Sequence, residues 1–423
     1  MIHEYEYALA ITSQFPFCSI PLRLDSYSTC QFACRYCFAA SRGGSARQKR
    51  IKSANPGAFA RRLERLAKGG EARSVLDEML VARIPVHFGG MSDPFMPLEG
   101  RLRVSLDLLK ILRDHAYPTI LSTKSDLCAS DPYREVLAAG NFIVQVSLPT
   151  LSDRLASRLD AGAPSITQRL KAIKLLTAEG VPTACRLQPF LAPDDEANDL
   201  VAACAEAGAK QIAVEHLKLA VENSAHRKAL SAALKLDLVK YYADRNSPRV
   251  GREWVLPVED RLDRVLKLRG LAHASGMLFG AADNDLLHLS DGTSCCSSVD
   301  QLGFKSAFRF TFTQAIHAHD EGRISFASIA DQWRPHRSIG RYVNSKSRIP
   351  TGSVEDYIRN HWNGYRHGTA LDSYFGVRRS DERDGNGFVV YELAEDVRRL
   401  LSSGQPLSDG TPQHHAGPIL TAL

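Results

Sequence analysis

Short hydrophobic runs alternate with longer amphipathic stretches from about residue 18 to residue 215. The hydrophobic runs predict strands at Cys18–Leu24, Val86–Phe88, Thr119–Ser122, Phe142–Leu148, Thr183–Leu191 and Gln211–Val214. The stretches between them have helical spacing, as in Ala58–Lys68, Arg103–Ala116, Thr167–Glu179 and Asp195–Ala207. Because alternating strands and helices usually build a parallel sheet covered by helices, the pattern predicts an α/β fold.

The rest of the chain has a different pattern. Residues 216–270 are polar and helix-rich, which predicts a helical insertion, and another strand is expected within Met277–Leu289. These segments complete a predicted first domain over residues 1–290. Residues 291–401 combine short mixed elements with many aromatic residues and arginines, and predict an α+β extension. Residues 402–423 are rich in Gly, Pro, Ser and His, which is typical of a loose tail.

Composition narrows the class of protein. Of 423 residues, 44% are hydrophobic and 24% charged, as in an ordinary globular protein. No apolar run approaches the ~18 residues of a membrane span, and the N-terminus lacks the pattern of a signal peptide. Nine scattered cysteines are too few for a disulfide framework at this length. We therefore expect a cytoplasmic protein without a membrane partner.

The positive charge is concentrated in two segments. Residues 42–73 hold ten Lys/Arg against two Asp/Glu, and residues 331–380 hold nine against four, although the whole chain carries only +6. The second segment also contains Trp333 and Trp362. Interleaved arginines and aromatics can hold phosphates and stack bases. The alternative is a small domain whose aromatics form its core and whose arginines decorate its surface.

Three cysteines carry the clearest chemical signal. Cys30, Cys34 and Cys37 have the spacing C-x3-C-x2-C, directly after the first predicted strand. Three thiolates can hold three irons of a [4Fe–4S] cluster, whose fourth iron is then open to a small ligand. Zinc sites favour paired C-x2-C units with four ligands, and no partner pair follows in this sequence.

This cysteine spacing resembles that of the radical S-adenosylmethionine (SAM) superfamily. The resemblance implies a partial (β/α)6 barrel with a C-terminal α+β extension, a [4Fe–4S] cluster and SAM. It further implies that the open iron binds SAM and that one electron cleaves it to a 5′-deoxyadenosyl radical. An electron donor such as flavodoxin or ferredoxin is then expected as a partner.

Further motifs resemble the spore photoproduct lyase-like group of this superfamily. They occur in the expected order and cover about residues 20–195. The matching pieces are His87–Glu99, Leu121–Ser125, Val144–Leu148, Leu159–Ser165 followed by Arg169–Ile173, and Val181–Pro189. The resemblance implies that SAM is held by Gly89, Gly90, Ser92, Asp93, Lys124 and Ser147. Two glycines after a strand also let a ligand approach the backbone closely.

Three more residues are proposed for catalysis. Arg186 lies within an apolar strand, where an unpaired arginine is rare, so we expect it to face an anion in the barrel mouth. The lyases carry a hydrogen-donating cysteine where this chain has Met91, whose thioether has no S–H group. The adjacent Cys295 and Cys296 are candidates for that donor, or for ligands of an auxiliary cluster.

The predicted function is hydrogen abstraction from a substrate, with DNA or RNA as the favoured substrate. One alternative is the same chemistry on a protein, peptide or nucleotide. The other is a nucleic-acid-binding protein whose iron–sulfur cluster is not catalytic, in which no SAM pocket would be needed.

Overall fold

The computed structural model describes residues 3–12, 15–41, 50–191, 196–296, 298–336, 353–364 and 370–403. Its strands are β1 (Leu9–Ile11), β2 (Leu22–Leu24), β3 (Val86–Phe88), β4 (Thr119–Thr123), β5 (Phe142–Ser147), β6 (Thr183–Phe190), β7 (Gln211–His216), β8 (Leu219–Ala220), β9 (Arg249–Val250), β10 (Glu253–Trp254), β11 (Leu278–Ala281), β12 (Arg323–Ile324), β13 (Val377–Arg383) and β14 (Val389–Leu393).

Eight of these strands form one sheet, in the order β1-β2-β3-β4-β5-β6-β7-β11. The strands from β2 to β7, and then β11, all run parallel to their neighbours, whereas β1 pairs antiparallel with β2. All six residues of β5 are buried, as expected for a parallel strand covered on both faces. The predicted α/β fold with a partial barrel is therefore confirmed.

The helices are α1 (Pro56–Ala67), α2 (Val75–Val81), α3 (Glu99–Leu102), α4 (Val104–Asp114), α5 (Tyr133–Ala138), α6 (Asp153–Leu159), α7 (Ile166–Ala178), α8 (Glu196–Glu206), α9 (Ser224–Leu234), α10 (Leu238–Ala243), α11 (Glu259–Ala274), α12 (Phe312–His317), α13 (Ala327–Ala330), α14 (Val354–Trp362) and α15 (Glu395–Ser403). Local sequence fixes several starts. Asn55 caps α1, whose first residue is proline, and Ser165 forms a capping box with Gln168 at α7.

The stretch predicted as a helical insertion divides into two parts. The first part, after β7, contains α9, α10 and a small separate sheet of order β8-β10-β9. The second part is α11, which packs against β7, β11 and α8 and so belongs to the outer helix layer.

Residues after β11 return into the partial barrel. Cys296, Val299 and Phe304 form a buried cluster with Ile120 and Ile143. Ile120 and Ile143 are each the second residue of their strand, β4 and β5, so the cluster lies toward the amino ends of the strands. This apolar layer forms a floor beneath the barrel lumen.

The C-terminal region has a third sheet, of order β12-β14-β13, and an aromatic core. The indole of Trp362 is fully buried, donates to the carbonyl of Val389 at 2.8 Å, and contacts the rings of Phe312 and Phe326 edge-on. Of the two interpretations left open for the aromatics of this segment, Trp362 therefore follows the second, a place in the core, because its buried ring has no free face for a base. Trp333, in contrast, is 42% exposed.

Other expectations fall outside the described residues. Arg337, Arg341 and Arg348 of the second basic segment do so, as do residues 42–49 of the first and 404–423 of the predicted tail. Of the helices that are described, none combines the length and apolar character needed to cross a membrane.

Candidate functional site

The three-cysteine loop follows β2 at the carboxyl edge of the parallel strands. Cys30, Cys34 and Cys37 are all free and half-buried, and the Cys37 N–H donates to the Cys34 carbonyl at 3.1 Å. Burial raises the pKa of Cys34 well above its usual value, and the nearby Cys37 and Cys30 thiols raise it further. The positive charge of Lys124 opposes these effects.

The three thiols match the donor set of an iron–sulfur cluster with one open iron. Each iron of a [4Fe–4S] cluster takes its own thiolate, so its ligands surround the cluster rather than meet at a point. Three thiols from one loop match that requirement, whereas a closed zinc site needs a fourth ligand.

The cysteine loop is braced by the turn after α6. The N–H of Arg35 donates to the carbonyl of Leu159 at 2.8 Å, and the N–H of Gly162 donates to that of Phe32 at 3.3 Å. A Cβ atom on Gly162 would lie 2.9 Å from the Cα of Phe32, so only glycine allows this approach. The turn thus fixes the backbone between Cys30 and Cys37.

A buried ion pair holds that turn in place. Arg169 and Asp160 are both fully buried, and their side chains meet at 3.0 Å. Arg169 also donates to the carbonyl of Ser147, at the end of β5, at 3.1 Å. Because removing one partner of a buried pair leaves the other charge uncompensated, these residues tie the turn firmly to the sheet. Sequence reasoning did not assign them a role.

The loop after β3 supplies the two glycines. Gly89 has a left-handed φ of 90°, and a Cβ there would lie 2.6 Å from the carbonyl oxygen of Ser122. A Cβ on Gly90 would meet the side chain of Arg23 at 2.7 Å. Asp25 holds the next turn by accepting from the N–H groups of Met91 and Ser92 at 2.7 and 3.2 Å. The glycines are thus required by close packing around this turn.

Ser92 and Asp93 use their side chains within the protein. Ser92 donates to the carbonyl of Tyr27 at 2.7 Å. Asp93 accepts from the hydroxyl of Thr123 and from the N–H of Lys124, both at 2.7 Å. These bonds join the glycine loop to the end of β4. Burial and the charge of the Asp93 carboxylate raise the pKa of Cys30, and hydrogen bonds from the backbone N–H groups of Phe32 and Asp93 oppose them.

Lys124 lies over the cysteine loop. Its ammonium is 5.3 Å from the ring centre of Tyr36, which lies between Cys34 and Cys37 in the sequence. Burial lowers the pKa of Lys124, but the negative charges of Cys34 and Asp160 outweigh this and leave the pKa raised. Lys124 is therefore a cation next to the thiols, while Ser147 lies buried at the end of β5.

Arg186 and its neighbours form a polar layer inside the barrel. Its guanidinium donates to Ser122 at 2.8 Å, to Gln145 at 3.2 Å and to Gln188 at 3.0 Å. All three acceptors are neutral oxygen atoms of hydroxyl or amide groups. Burial, together with the charges of Arg186 and Arg23, lowers the pKa of the adjacent His87 to about 3. The lumen therefore holds the guanidinium of Arg186 in a network of neutral acceptors.

The structure places Cys295 and Cys296 at the floor beneath this layer. Their sulfurs are 3.9 Å apart, and Cys296 packs against Ile120 and Ile143. The charge of Arg186 reaches both thiols and favours their ionised forms. The predicted residues thus form two groups. The cysteine loop, Gly89, Gly90, Ser92, Asp93 and Lys124 lie at the carboxyl edge, whereas Arg186, Cys295 and Cys296 lie in the lumen.

Part of the chain is similar to known proteins. Residues 25–206 match the family model of the Radical SAM superfamily. Similar solved structures include spore photoproduct lyase complexed with dinucleoside spore photoproduct (15% identity, 66% of this chain, 80% of that chain, TM-score 0.48). They also include Streptococcus suis SuiB bound to S-adenosylmethionine (17% identity, 63% of this chain, 51% of that chain, TM-score 0.42). Sequence comparison with curated proteins gives no match.

Proposed function

We propose that this protein, which carries a radical SAM domain over residues 25–206, abstracts hydrogen from an anionic substrate held in the barrel lumen. The observation that carries the proposal is the position of three thiols beside the glycine loop and Lys124, at one edge of the parallel strands. Catalytic residues of such barrels gather at that edge.

Cys30, Cys34 and Cys37 would hold a [4Fe–4S] cluster. When bound, the cluster supplies the electron that cleaves SAM and so provides the radical that takes hydrogen from the substrate. The chain must then bind and orient SAM. We assign SAM to the side of the Gly89–Gly90 turn that faces the cysteine loop, where Lys124 offers a half-buried cation for a carboxylate.

The lumen would bind the substrate. Arg186 is preorganised by Ser122, Gln145 and Gln188, so its guanidinium needs no rearrangement to meet an anionic group. Below it, the Cys296 thiol carries a hydrogen that Met91 cannot provide, and we assign the return of hydrogen to Cys296. Nucleic acid remains our first substrate class, because its phosphates supply the anion and the chain carries two basic segments.

Arg186→Gln tests this arrangement. Loss of the charge should weaken the interaction of a single-stranded DNA or RNA oligonucleotide with the enzyme, raising KM by about tenfold, or about 1.4 kcal/mol. SAM cleavage without oligonucleotide should stay at the wild-type rate, because Arg186 does not contact the cysteine loop. The control is Arg264→Gln. In the wild type the Arg264 guanidinium lies over the ring of Phe190, so this change also removes one arginine charge but not the one that Ser122, Gln145 and Gln188 hold. Equal KM values in wild type and Arg186→Gln would remove Arg186 from substrate binding.

A further inference from the structure

The chain segment around Cys295 occupies the barrel lumen because a strand residue makes room for it. Gly280 of β11 has no side chain, and a Cβ there would lie 2.6 Å from the carbonyl oxygen and 3.2 Å from the Cα of Cys295. Gln211 of β7 donates to Ser298 at 3.1 Å and holds the same segment farther along. Both thiols are thus fixed in the floor rather than carried by a mobile surface loop.

The two thiols differ in acidity. A hydrogen bond from Cys295, opposed by burial and helped by the charge of Arg186, lowers the pKa of Cys296 to about 7. The same hydrogen bond and burial raise the pKa of Cys295 well above its usual value. Cys296 is therefore the more acidic thiol of the pair, and we expect it to react first with an oxidant.

A small cavity reaches Cys295. It has a volume of about 40 Å³ and is lined by Cys18, Ser19, Thr293, Ser294 and Cys295, among others. The hydroxyl of Thr293 is buried there and has no hydrogen-bond partner among the described residues. A cavity of this size has room for about one water-sized molecule.

We propose that Cys295 and Cys296 are a redox-active dithiol that closes to a disulfide between adjacent residues. Two S–H bonds break and one S–S bond forms, while two electrons and two protons pass to a small thiol oxidant. With diamide, the N=N bond of the oxidant becomes HN–NH. Adjacent Cα atoms are only ~3.8 Å apart, closer than in most disulfides, so the bond should be readily reduced by a dithiol.

The disulfide does not depend on the proposed function, but its consequence does. If Cys296 returns hydrogen to the substrate radical, closing the disulfide removes that S–H group without affecting the cysteine loop. The oxidised protein would then still cleave SAM but would not complete the reaction. The enzyme would thus complete its reaction under reducing conditions and stop after SAM cleavage under oxidising conditions.

The chain contains its own control pair. Cys185 of β6 and Cys204 of α8 are hydrogen-bonded to each other and fully buried in the main core. Burial and this bond raise the pKa of Cys185 well above its usual value. Because both sulfurs are fully buried and the pKa of Cys185 is raised, this pair should resist the same oxidant.

The test is diamide oxidation of the anaerobically reconstituted full-length protein, followed by alkylation, proteolysis and mass spectrometry. The peptide with Cys295 and Cys296 should lose two hydrogens and escape alkylation, about tenfold or more faster than the Cys185–Cys204 pair reacts. Dithiothreitol should reduce the disulfide again and restore alkylation of both cysteines. Cys295→Ser should abolish this product, and Cys18→Ser should retain it. SAM cleavage without substrate, measured in parallel, reports separately on the proposed function.

Three results would overturn the proposal. One is that Cys295 and Cys296 are still reduced, and so can be alkylated, at a time when diamide has already oxidised Cys185 and Cys204. Another is a disulfide from Cys18 to Cys296 in place of the bond between neighbours. The third is equal rates for the two pairs, which would mean that access rather than the Cys296 thiolate controls oxidation. Loss of SAM cleavage alone would leave the disulfide in place and count against the proposed function instead.

Discussion

At the residue scale, the site depends on its glycines as much as on its functional side chains. Gly89, Gly162 and Gly280 each let two backbone segments approach more closely than a Cβ would permit. Gly89 brings the glycine loop against β4. Gly162 brings the turn after α6 against the cysteine loop, and Gly280 brings β11 against the thiols of the floor. The chemistry-bearing groups are thus placed by backbone contacts that no side-chain motif encodes.

The clearest residue-scale prediction concerns Gly90. In Gly90→Val the new side chain displaces Arg23, which pairs with Asp25 at 2.8 Å, and so disturbs the turn of Met91 and Ser92. We expect SAM affinity to fall by about tenfold or more, at least about 1.4 kcal/mol, with iron content unchanged. Calorimetric titration of SAM into reconstituted protein measures this. Gly100→Val is the matched control, since no atom lies within 4 Å of a Cβ at that position.

At the scale of elements, the central strands were predictable and the floor was not. The runs at β3, β4, β5, β6 and β7 are apolar and bounded by turn residues, so local sequence is sufficient to identify them. The segment of Cys296 and Val299 shows no regular strand or helix pattern in its sequence. Its position is determined by packing against Ile120 and Ile143, which are far away in the sequence. The Asp160–Arg169 pair was missed for the same reason: each residue alone looks like an ordinary surface charge.

The burial of Trp362 can be recognised from the helical spacing of apolar residues in the sequence. Val354, Ile358 and Trp362 are spaced four residues apart, which places them on one face of α14, and all three are fully buried. Arginines interleaved with aromatics look the same along the chain whether the aromatics face a core or a ligand. Helical spacing separates the two cases, and in α14 it favours the core.

The two tryptophans should therefore behave differently. Trp362→Ala removes a buried ring from the aromatic core and should cost about 3–5 kcal/mol of unfolding free energy. Trp333→Ala, at an exposed position, should change stability by no more than about 0.5 kcal/mol. Denaturant unfolding of both variants checks this. If Trp333 stacks on a base, its variant should also lose about 1–3 kcal/mol of oligonucleotide affinity; a stable Trp362→Ala protein would contradict the packing.

At the scale of the whole molecule, the basic segments should determine how a polyanion binds. If the substrate is DNA or RNA, the logarithm of the binding constant should fall by roughly 0.7–0.9 per neutralised phosphate for each tenfold increase in salt. Changing Arg337, Arg341 and Arg348 to Glu should reduce both affinity and slope. Lys240→Glu, on the exposed face of α10, should leave both near wild type. Binding that is absent or insensitive to salt would favour a peptide or small-molecule substrate.

The most direct measurement of the central claim is SAM cleavage by anaerobically reconstituted protein, together with its iron and sulfide content. The wild type should hold about four irons and four sulfides per chain and release 5′-deoxyadenosine. Cys34→Ala should lose both the cluster and the cleavage, whereas Cys18→Ala, outside the cysteine loop, should keep both. A colourless wild-type protein with one tightly bound zinc, or a full cluster that never cleaves SAM, would contradict the account.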